Sequence, residues 1–412
     1  MALQSSGPIS FLNLIAEFGN PGGGSHDLGA YRVSQTVGEM NNLPLDEGIP
    51  QGNSQISFED FYGKRLNVIV HYSGTQERPG GARAKYNGNN ASDVPVIVIG
   101  GGRNRPANSS GKDVTIHVSG TLHGSESHSQ LDCTLKTGGG WNSGTILNVN
   151  VGEEGKIFGA GGDGGKGGRP ESEEGDGLDG EDGSSALGLG YNITELRVQT
   201  GGIISAGGGG GGGGGGARGE GGESDERVGG AGGGGGVGIP HGVGGFGGTN
   251  PADALGSVYI AASEAEEAYG NVEYQPGNGG NGSETDGGNG GHGGANNEQD
   301  DDDFSNDEES SAQSGGGGGG GAPQSNNEGG EGGGDYTSYG PGSGRTAAQD
   351  GSTEKGGDGG QADAEGGEQI EGSGGEGGEN GYAIITNSGV SISNTVGSSR
   401  IKGRTLPNTN FT

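Results

Sequence analysis

The chain contains 412 residues, of which 110 are glycine and only 25% are hydrophobic, so a conventional apolar core cannot extend through most of it. Its formal net charge of -33 repels phosphate backbones and anionic lipid head groups, which argues against nucleic acids and membrane surfaces as partners. A single cysteine, Cys133, excludes an intrachain disulfide and a thiolate metal cluster, and we expect it to be a small residue within a strand.

The N-terminal sequence MALQSSGPISFLNLIAEFG has neither the basic stretch nor the apolar stretch of a secretion signal. No apolar run reaches the roughly 18 residues that indicate a membrane helix. We therefore expect a protein that is made and kept in a cytoplasm.

A short internal repeat marks the first region, residues 1–66. The sequence ISFLNL at 9–14 is repeated as ISFEDF at 56–61. In each copy the serine is placed to cap one helical turn, and the second copy has the Ser-x-x-Asp capping signature. Because Gly-, Pro- and Asn-rich loop sequence separates the copies, we expect a small and mostly irregular module.

Residues 67–206 alternate apolar and polar side chains, which predicts strands. LNVIVHYS, VPVIVIG, DVTIHVSG, TILNVNVG and NITELRVQ all show this pattern. A Gly-x-apolar segment follows several of them, most clearly at 155–162 and 201–208. Strand, tight turn and short strand in repetition predict a β-helix or β-solenoid, with an ordinary β-sandwich as the alternative. We expect residues 382–412 to supply further strands to the same β-rich domain.

Glycine blocks dominate residues 159–381, and several of them repeat as Gly-Gly-x. Three residues per turn is the period of the polyproline II helix, which has no internal hydrogen bonds. Two faces of a Gly-Gly-x helix carry only hydrogen, so such helices can approach closely and bond backbone to backbone. The third face should present residues such as Asp, Lys, Asn or Glu. We predict a polyglycine II bundle over 207–381 with acidic and aromatic loops; the alternative is a flexible or disordered glycine linker.

The predicted fold is therefore mostly β and irregular. It consists of an N-terminal module (1–66), a β-helix-like domain (67–206), a polyglycine II bundle with exposed loops (207–381) and C-terminal strands (382–412).

The run NVNVGEEGKIFGAGGDGGKGG, followed by NITELRVQTGGIISAGGGGGGGGGG and ending in GGEGGENGYAIITNSGVSI, resembles the glycine-rich distal tail-fibre adhesins of T-even-like phages. It is also similar to the glycine-rich parts of some siphophage tail-tip proteins. The N-terminal sequences MALQSSGPISF and ISFEDFYGKR resemble a module that begins many structural proteins of marine phages. The resemblance implies a virion protein, assembled in the host cytoplasm, that joins other tail or fibre proteins and binds an outer-membrane protein or glycan through loops on a polyglycine scaffold.

Aromatic side chains in the predicted loops are the candidates for receptor contact, because tyrosine provides a large contact area at low entropy cost and stacks on sugars. Binding residues also concentrate on loops that a scaffold holds. Tyr259, within SVYIA, has the alternative of a buried strand position. The candidate receptor-binding residues are Phe246, Tyr259, Tyr269, Tyr274, Phe304, Tyr336 and Tyr339.

Apolar residues of the two N-terminal repeats are the candidates for virion attachment, following the resemblance of this module to other virion proteins. They are Phe11, Leu14, Phe18, Phe58, Phe61 and Tyr62.

We predict no cofactor, no metal site and no enzymatic activity. Asp300–Asp303 with Glu308 and Glu309 lack the spacing of a calcium loop, and we interpret them as solvated charge. The abundant G-x-G-x-x-G matches lack a following Lys-Ser/Thr or a βαβ setting, and the histidines form no catalytic arrangement.

Three functions remain open at the level of the sequence. A receptor-binding adhesin would expose variable loops at a fibre or tail tip. A purely structural tail, fibre, baseplate or collar component would lie among other virion proteins and bind no cell. An ice-binding protein would need a flat uncharged face, which the acidic positions Asp163, Glu331 and Asp358 argue against.

Overall fold

The structure is a computed structural model, and it describes the following residues. They are 3–18, 27–31, 49–50, 54–72, 97–98, 110–124, 129–169, 175–221, 224–228, 230–248, 278–283, 286–291, 295–297, 311–313, 316–322, 348–352, 354–359, 361, 363–365 and 368–409. This part of the chain is mostly β with few helices.

The two N-terminal repeats form different helices. The first copy continues as helix α1, Phe11–Phe18, and the second is a single 3-10 turn, Phe58–Phe61. In the second copy the Asp60 carboxylate accepts the Ser57 backbone N–H at 2.7 Å, as the capping signature predicts. A further 3-10 turn spans Leu28–Tyr31.

The strands are short and continue to the C-terminal residues of the described chain. In order they are β1 Val68–Tyr72, β2 Ile97–Val98, β3 Asp113–Leu122, β4 Cys133–Lys136, β5 Ile146–Val151, β6 Lys156–Phe158, β7 Ser185–Leu189, β8 Ile193–Val198, β9 Ile203–Ser205, β10 Ala217–Gly221, β11 Ser224–Val228, β12 Ala295–Asn297, β13 Ser311–Gln313, β14 Asp363–Glu365, β15 Glu368–Glu371, β16 Tyr382–Thr386, β17 Ile392–Val396, β18 Ile401–Lys402 and β19 Arg404–Leu406.

Strands β1–β9 and β16–β19 form three parallel sheets, which the chain visits in a fixed order. The first sheet runs β17-β8-β5-β3-β1, and the third runs β19-β16-β7-β4-β2. The second joins the end of β3 to β6, β9 and β18. We call one pass through the three sheets a coil. The strands β5, β6 and β7 make one coil, and β17, β18 and β19 make the last one.

Apolar side chains stack from coil to coil to form the core of these sheets. Val114 is in register with Leu147, and Ile116 with Val149, which is in register with Leu196 in turn. These side chains are almost fully buried. Parallel pairing places identical positions of successive coils above one another, so the alternation predicted from the sequence becomes a continuous apolar interior.

The N-terminal module shares this interior. Phe18, Tyr31 and Phe61 pack as an aromatic cluster with ring centroids 5.8–6.1 Å apart, and they belong to the same core as the strands. A buried ion pair links the two parts, because Lys112 Nζ lies 3.6 Å from Glu17 Oε2. Burial lowers the pKa of Lys112, and Glu17 opposes that shift.

Extended segments, all but one of them rich in glycine, leave the coils at one corner, between the second and third sheets; the exception, 348–352, has a single glycine. Two of them lie between β6 and β7, and the others lie between β9 and β16. We number them in chain order as segment 1 (159–168), segment 2 (175–183), segment 3 (207–216), segment 4 (230–238), segment 5 (239–248), segment 6 (278–283), segment 7 (286–291), segment 8 (316–322), segment 9 (348–352), segment 10 (354–359) and segment 11 (372–381).

Backbone hydrogen bonds join these segments with a period of three residues. Segment 1 shows the pattern, because each third N–H donates to the same neighbour, segment 3, while the preceding N–H donates to segment 5. Its bonds to segment 3 are Gly162 to Gly208, Gly165 to Gly211 and Gly168 to Gly214, all at 2.8 Å. Its bonds to segment 5 are Gly161 to Pro240, Gly164 to Val243 and Gly167 to Phe246, at 2.8–2.9 Å.

Two segments lie at the centre of the network. Segment 3 exchanges backbone hydrogen bonds with segments 1, 2, 4, 8, 10 and 11, and segment 4 exchanges them with segments 1, 3, 5, 6, 7 and 8. All ten glycines of segment 3 are buried. A Cβ on Gly210, Gly211 or Gly212 would overlap a carbonyl oxygen of a different neighbour at each position, namely Asp163, Gly318 and Gly375. An unbroken run of glycine is therefore a packing requirement here.

Acidic side chains of segment 2, whose sequence is GDGLDGEDG, bind the backbone of a neighbouring segment. The Oδ1 atoms of Asp176, Asp179 and Asp182, spaced by three along segment 2, accept N–H groups of segment 11 at 2.7–2.8 Å. Glycine N–H groups of segment 2 donate to segment 11 in return, for example Gly177 to the Ser373 carbonyl at 2.8 Å, so the carboxylates satisfy the remaining backbone donors on this side of segment 11.

Candidate receptor-binding end

In the part of the chain that the structure describes, three connections between glycine segments carry strands at the end of the bundle that lies away from the coils, which we call the distal end. Segment 3 leaves the coils after β9 and passes directly into β10 at this end. Strands β10 and β11 connect segments 3 and 4, β12 and β13 connect segments 7 and 8, and β14 and β15 connect segments 10 and 11. The glycine segments thus bring together parts of the chain that are far apart in sequence.

The distal strands form two antiparallel three-stranded sheets, β11-β10-β15 and β12-β13-β14. In the first, Arg218 is in register with Arg227 and with Ile370. In the second, Ala312 is in register with Asn296 and Ala364. Both sheets are assembled from different connections, so the backbone of the distal end is tied together by hydrogen bonds.

Of the predicted receptor-binding residues, only Phe246 lies within the described part of the chain. Tyr259, Tyr269, Tyr274, Phe304, Tyr336 and Tyr339 lie outside it. The described residues that flank 249–277 are at the distal end, where the Gly247 N–H donates to Asn278 Oδ1 at 2.8 Å. The residue that precedes 323–347, Ala322, follows Gly321, which bonds to Gly209 near the coils.

Phe246 belongs to a row of exposed side chains that crosses three adjacent segments. Its side chain is 56% exposed, and its carbonyl accepts the N–H of Gly167 at 2.9 Å. The neighbouring carbonyl on segment 1, from Lys166, accepts the N–H of Leu178 at 2.8 Å. Leu178 is 58% exposed, and Lys166 is exposed as well. We call Leu178, Lys166 and Phe246 the exposed row.

The next turn toward the coils has the opposite charge. There Glu181 N–H donates to the Asp163 carbonyl and Gly164 N–H donates to the Val243 carbonyl, both at 2.8 Å. Asp163 Oδ1 also accepts the Val243 N–H at 2.8 Å. One turn of the same surface therefore presents two apolar side chains around a lysine, and the turn beside it presents carboxylates. The sequence signal for this row was the spacing of three, which places Asp163 and Lys166 on one side of segment 1.

The predicted attachment residues are largely internal to the N-terminal module. Leu14, Phe18 and Phe61 are fully buried. Phe11 and Phe58 are partly buried and make an edge-to-face contact with centroids 5.0 Å apart. Tyr62 donates its hydroxyl to the Gly7 carbonyl. These side chains give the module its shape, whereas Leu12 on α1 is 75% exposed.

The remaining chemistry of the described residues is sparse. They contain no group of three or more His, Cys, Asp or Glu side chains arranged to hold a metal ion. Burial raises the pKa of the Cys133 thiol to about 12, so this thiol is protonated at neutral pH. The helices of this part of the chain are too short or too polar to cross a membrane.

These features define a class of protein that presents the connections between its segments at one end of a glycine-cored bundle. The sequence matches the family model of the phage tail fibre adhesin Gp38 over residues 97–313, more than half of the chain. The chain belongs to this family. Its members are adhesins and not enzymes, so the chain is a phage tail-fibre protein that acts together with other tail proteins and a host receptor.

The match begins at β2 and ends at β13, so it includes the two central glycine segments. No curated protein and no solved structure gave a significant match.

Proposed function

We propose that the chain is a receptor-binding adhesin in which a polyglycine II bundle holds the distal end against a host outer-membrane protein or glycan. The observation that carries the proposal is the gathering of three separate connections, with their two sheets, at the end of the bundle away from the coils. Binding residues are commonly located on connections that a stiff scaffold positions. Residues 249–277 and 298–310, which carry predicted aromatic candidates, join described residues at this end.

The hydrogen-bond pattern supports the polyglycine II interpretation. Polyproline II helices have three residues per turn and direct their N–H and C=O groups outward. Segment 3 donates in turn to segments 2, 4 and 10, as Gly210, Gly211 and Gly212 show, and it accepts from segments 1, 8 and 11. Three donor directions and three acceptor directions give six neighbours, which is the packing expected of parallel and antiparallel polyglycine II helices.

The recurrent order of the three parallel sheets supports a β-helix as the base of the bundle. Glycine segments enter and leave that base at one corner, so the base fixes the direction in which they extend. In this proposal the N-terminal module, residues 1–66, attaches the chain to another tail or fibre protein. Its buried residues shape the module, and the exposed Leu12 is a candidate for direct contact.

The exposed row supplies chemistry suited to a receptor surface. Phe246 provides an aromatic face for a sugar or an apolar side chain, and Lys166 provides a cation in a chain of net charge -33. Leu178 adds apolar area on the other side of the lysine. We propose that this row extends the receptor contact from the distal end onto the side of segments 1, 2 and 5.

The test is binding of the fluorescently labelled full-length protein to a panel of candidate host strains. The double variant Phe246→Ala with Lys166→Glu should bind about tenfold more weakly, equivalent to ~1.4 kcal/mol. Val243→Ala, one turn nearer the coils, is the matched control and should bind within about twofold of the unchanged protein. Circular dichroism and thermal unfolding verify that both variants remain folded.

Equal binding by the double variant and the unchanged protein would remove the row from the contact but leave the distal end as the adhesive surface. If the unchanged protein binds no strain that its phage infects, and still incorporates into particles, the purely structural function is correct. Deletion of residues 1–66 is a poor substitute for these variants, because Leu14, Phe18 and Phe61 belong to the common core.

A further inference from the structure

The Gly-Gly-x pattern repeatedly places Asn or Asp directly before glycine. Such pairs are chemically labile, because the backbone nitrogen of the glycine can attack the side-chain carbonyl carbon of the preceding residue. With asparagine the attack forms a five-membered succinimide and expels ammonia. Water then opens the ring to leave aspartate or isoaspartate. Glycine favours the reaction because it has no Cβ to obstruct the approach.

Most asparagine-glycine pairs of the bundle are protected, because the attacking nitrogen donates a hydrogen bond. Gly279 donates to the Gly245 carbonyl at 2.9 Å, Gly282 to Gly242 at 3.0 Å, and Gly381 to Gly207 at 2.8 Å. The preceding asparagine is held as well. Asn278, Asn281 and Asn380 each accept a backbone N–H through Oδ1, at 2.7–2.9 Å. Both reacting groups must leave these partners before a ring can close.

The pair Asn289–Gly290 in segment 7 lacks the first protection. Its glycine N–H donates no hydrogen bond to any described residue, although the N–H groups of Gly288 and Gly291 do donate. Asn289 is exposed and Gly290 is partly exposed, so water and base reach the pair. The N–H groups of Gly287 and Gly351 share this property, but they follow aspartates, which have no amide to lose.

We propose that Asn289 is a site of spontaneous deamidation in the folded adhesin. The Gly290 nitrogen loses its proton to base and bonds to the Asn289 Cγ, and the Cγ–N bond breaks to release ammonia. Hydrolysis of the succinimide consumes one water. The products carry one more negative charge than asparagine, and isoaspartate places an additional methylene in the backbone.

That methylene falls between two bonds that fix the register of segment 7. Gly288 N–H donates to the Gly235 carbonyl and Gly291 N–H donates to the Gly232 carbonyl, both at 2.8 Å. The two bonds are three residues apart along each chain, so an additional backbone atom prevents both from forming at once. Segment 7 leads to β12 of the distal end. Deamidation therefore loosens the bundle next to one of the distal sheets.

The experiment is peptide mapping by mass spectrometry of the full-length protein during incubation at neutral to mildly alkaline pH. Deamidation at Asn289 should exceed that at Asn278, Asn281 and Asn380 by at least about tenfold, because their glycine nitrogens must first lose a hydrogen bond. The same protein in denaturant is the control. There the four pairs have the same Asn-Gly sequence and should react at similar rates.

Two further results complete the test. The variant Asn289→Gln should retain the starting thermal-unfolding midpoint after incubation, whereas the unchanged protein should lose stability as isoaspartate accumulates. Equal rates at the four pairs in the folded protein would overturn the proposal, and so would faster reaction at Asn278, Asn281 or Asn380.

Discussion

The coils and the glycine bundle satisfy the same backbone groups in different ways. In the coils, hydrogen bonds run along one direction between neighbouring strands, and buried side chains such as Val149 and Leu196 fill the interior. In the bundle, hydrogen bonds leave each chain in several directions, and segment 3 has no side chains at all. The comparison shows that a chain with few apolar residues can still form an interior, provided that its backbones approach closely enough to bond to one another.

The two interiors also differ in how a substitution damages them. A smaller residue leaves a cavity in the coils, whereas any residue other than glycine adds atoms to the bundle. Substitutions in the two regions should therefore destabilise the protein by different mechanisms and by different amounts.

Substitution of a central glycine should have the largest effect. A Cβ at Gly211 would overlap the Gly318 carbonyl oxygen, and backbone on every side prevents relaxation. We expect Gly211→Ala to cost about 3 kcal/mol or more, measured by denaturant unfolding. Lys166→Ala, at an exposed position of segment 1, is the control and should change stability by less than about 0.5 kcal/mol. Similar effects of the two variants would show that segment 3 is not the packed centre.

Shortening a buried side chain in the coils should lower the free energy of unfolding by a comparable or slightly smaller amount, because it leaves a cavity instead of adding atoms. Leu196 is fully buried, so Leu196→Ala should cost about 3 kcal/mol through lost contacts and a cavity. Thr395, its register partner in the last coil, is exposed. Thr395→Ala should therefore cost little in the same unfolding measurement. A small effect of Leu196→Ala would indicate that the coil interior collapses around the shorter side chain.

Loss of one edge carboxylate should have a moderate effect. Asp179→Ala removes the acceptor of the Glu376 N–H, which is bonded at 2.8 Å, and should cost about 1 kcal/mol. Asp179→Asn retains an Oδ1 acceptor and should cost less than half of that. The difference between the two variants in thermal unfolding measures the hydrogen bond itself. Equal costs would mean that the negative charge, and not the acceptor atom, stabilises this edge.

Acid should weaken the bundle through Asp358. Burial alone would raise the pKa of this carboxyl, but the Gly377 N–H and the Lys355 ammonium outweigh burial and lower it. A lowered folded pKa stabilises the fold above the unfolded pKa, and this contribution disappears as pH falls through the folded value. Stability measured from neutral pH to below pH ~4 should therefore decline, and Asp358→Asn should make the decline shallower. An unchanged slope would exclude Asp358 as a contributor.

The last prediction concerns alkylation of the Cys133 thiol, which reports opening of the coils and requires no substitution at this residue. Because burial raises the pKa of its thiol to about 12, alkylation of the folded protein should be very slow at pH 8. Labelling should begin only when the coils open. The alkylation rate in two variants then distinguishes opening of the coils from loosening of the bundle. Gly211→Ala should leave Cys133 protected if the bundle loosens alone, whereas Leu196→Ala should speed alkylation. Rapid labelling of the unchanged protein would show that the coils open readily.

The sequence predicted the local structure of each segment better than it predicted which segments lie next to one another. Alternation in DVTIHVSG and TILNVNVG identified β3 and β5, because a strand alternates its side chains between two faces. The Gly-Gly-x period predicted a bundle of chains that bond backbone to backbone. The identity of the neighbours was not predictable, because glycine blocks carry no side chains that distinguish one neighbour from another. Asp176, for example, binds the N–H of Ser373, 197 residues away.

The candidate site was predictable only in part. Phe246 was selected as an aromatic residue of a predicted loop, and it is exposed on segment 5. Lys166 and Leu178 lie beside it through hydrogen bonds between distant segments, which the sequence does not reveal. The same limitation applies to the N-terminal module. Its apolar residues were selected for attachment, and Leu14, Phe18 and Phe61 are buried because they pack in the same core as the strands of the coils.

The three-residue hydrogen-bond period also limits how the bundle can change in evolution. Adding or removing three residues in one segment shifts it by one full turn, and every donor again meets an acceptor of the same neighbour. A change of one or two residues turns the donors toward the wrong neighbours and displaces everything beyond them. The genes that encode these glycine runs should therefore vary in length in steps of nine nucleotides. Each step moves a distal connection by one turn along the bundle and keeps the hydrogen bonds between the segments.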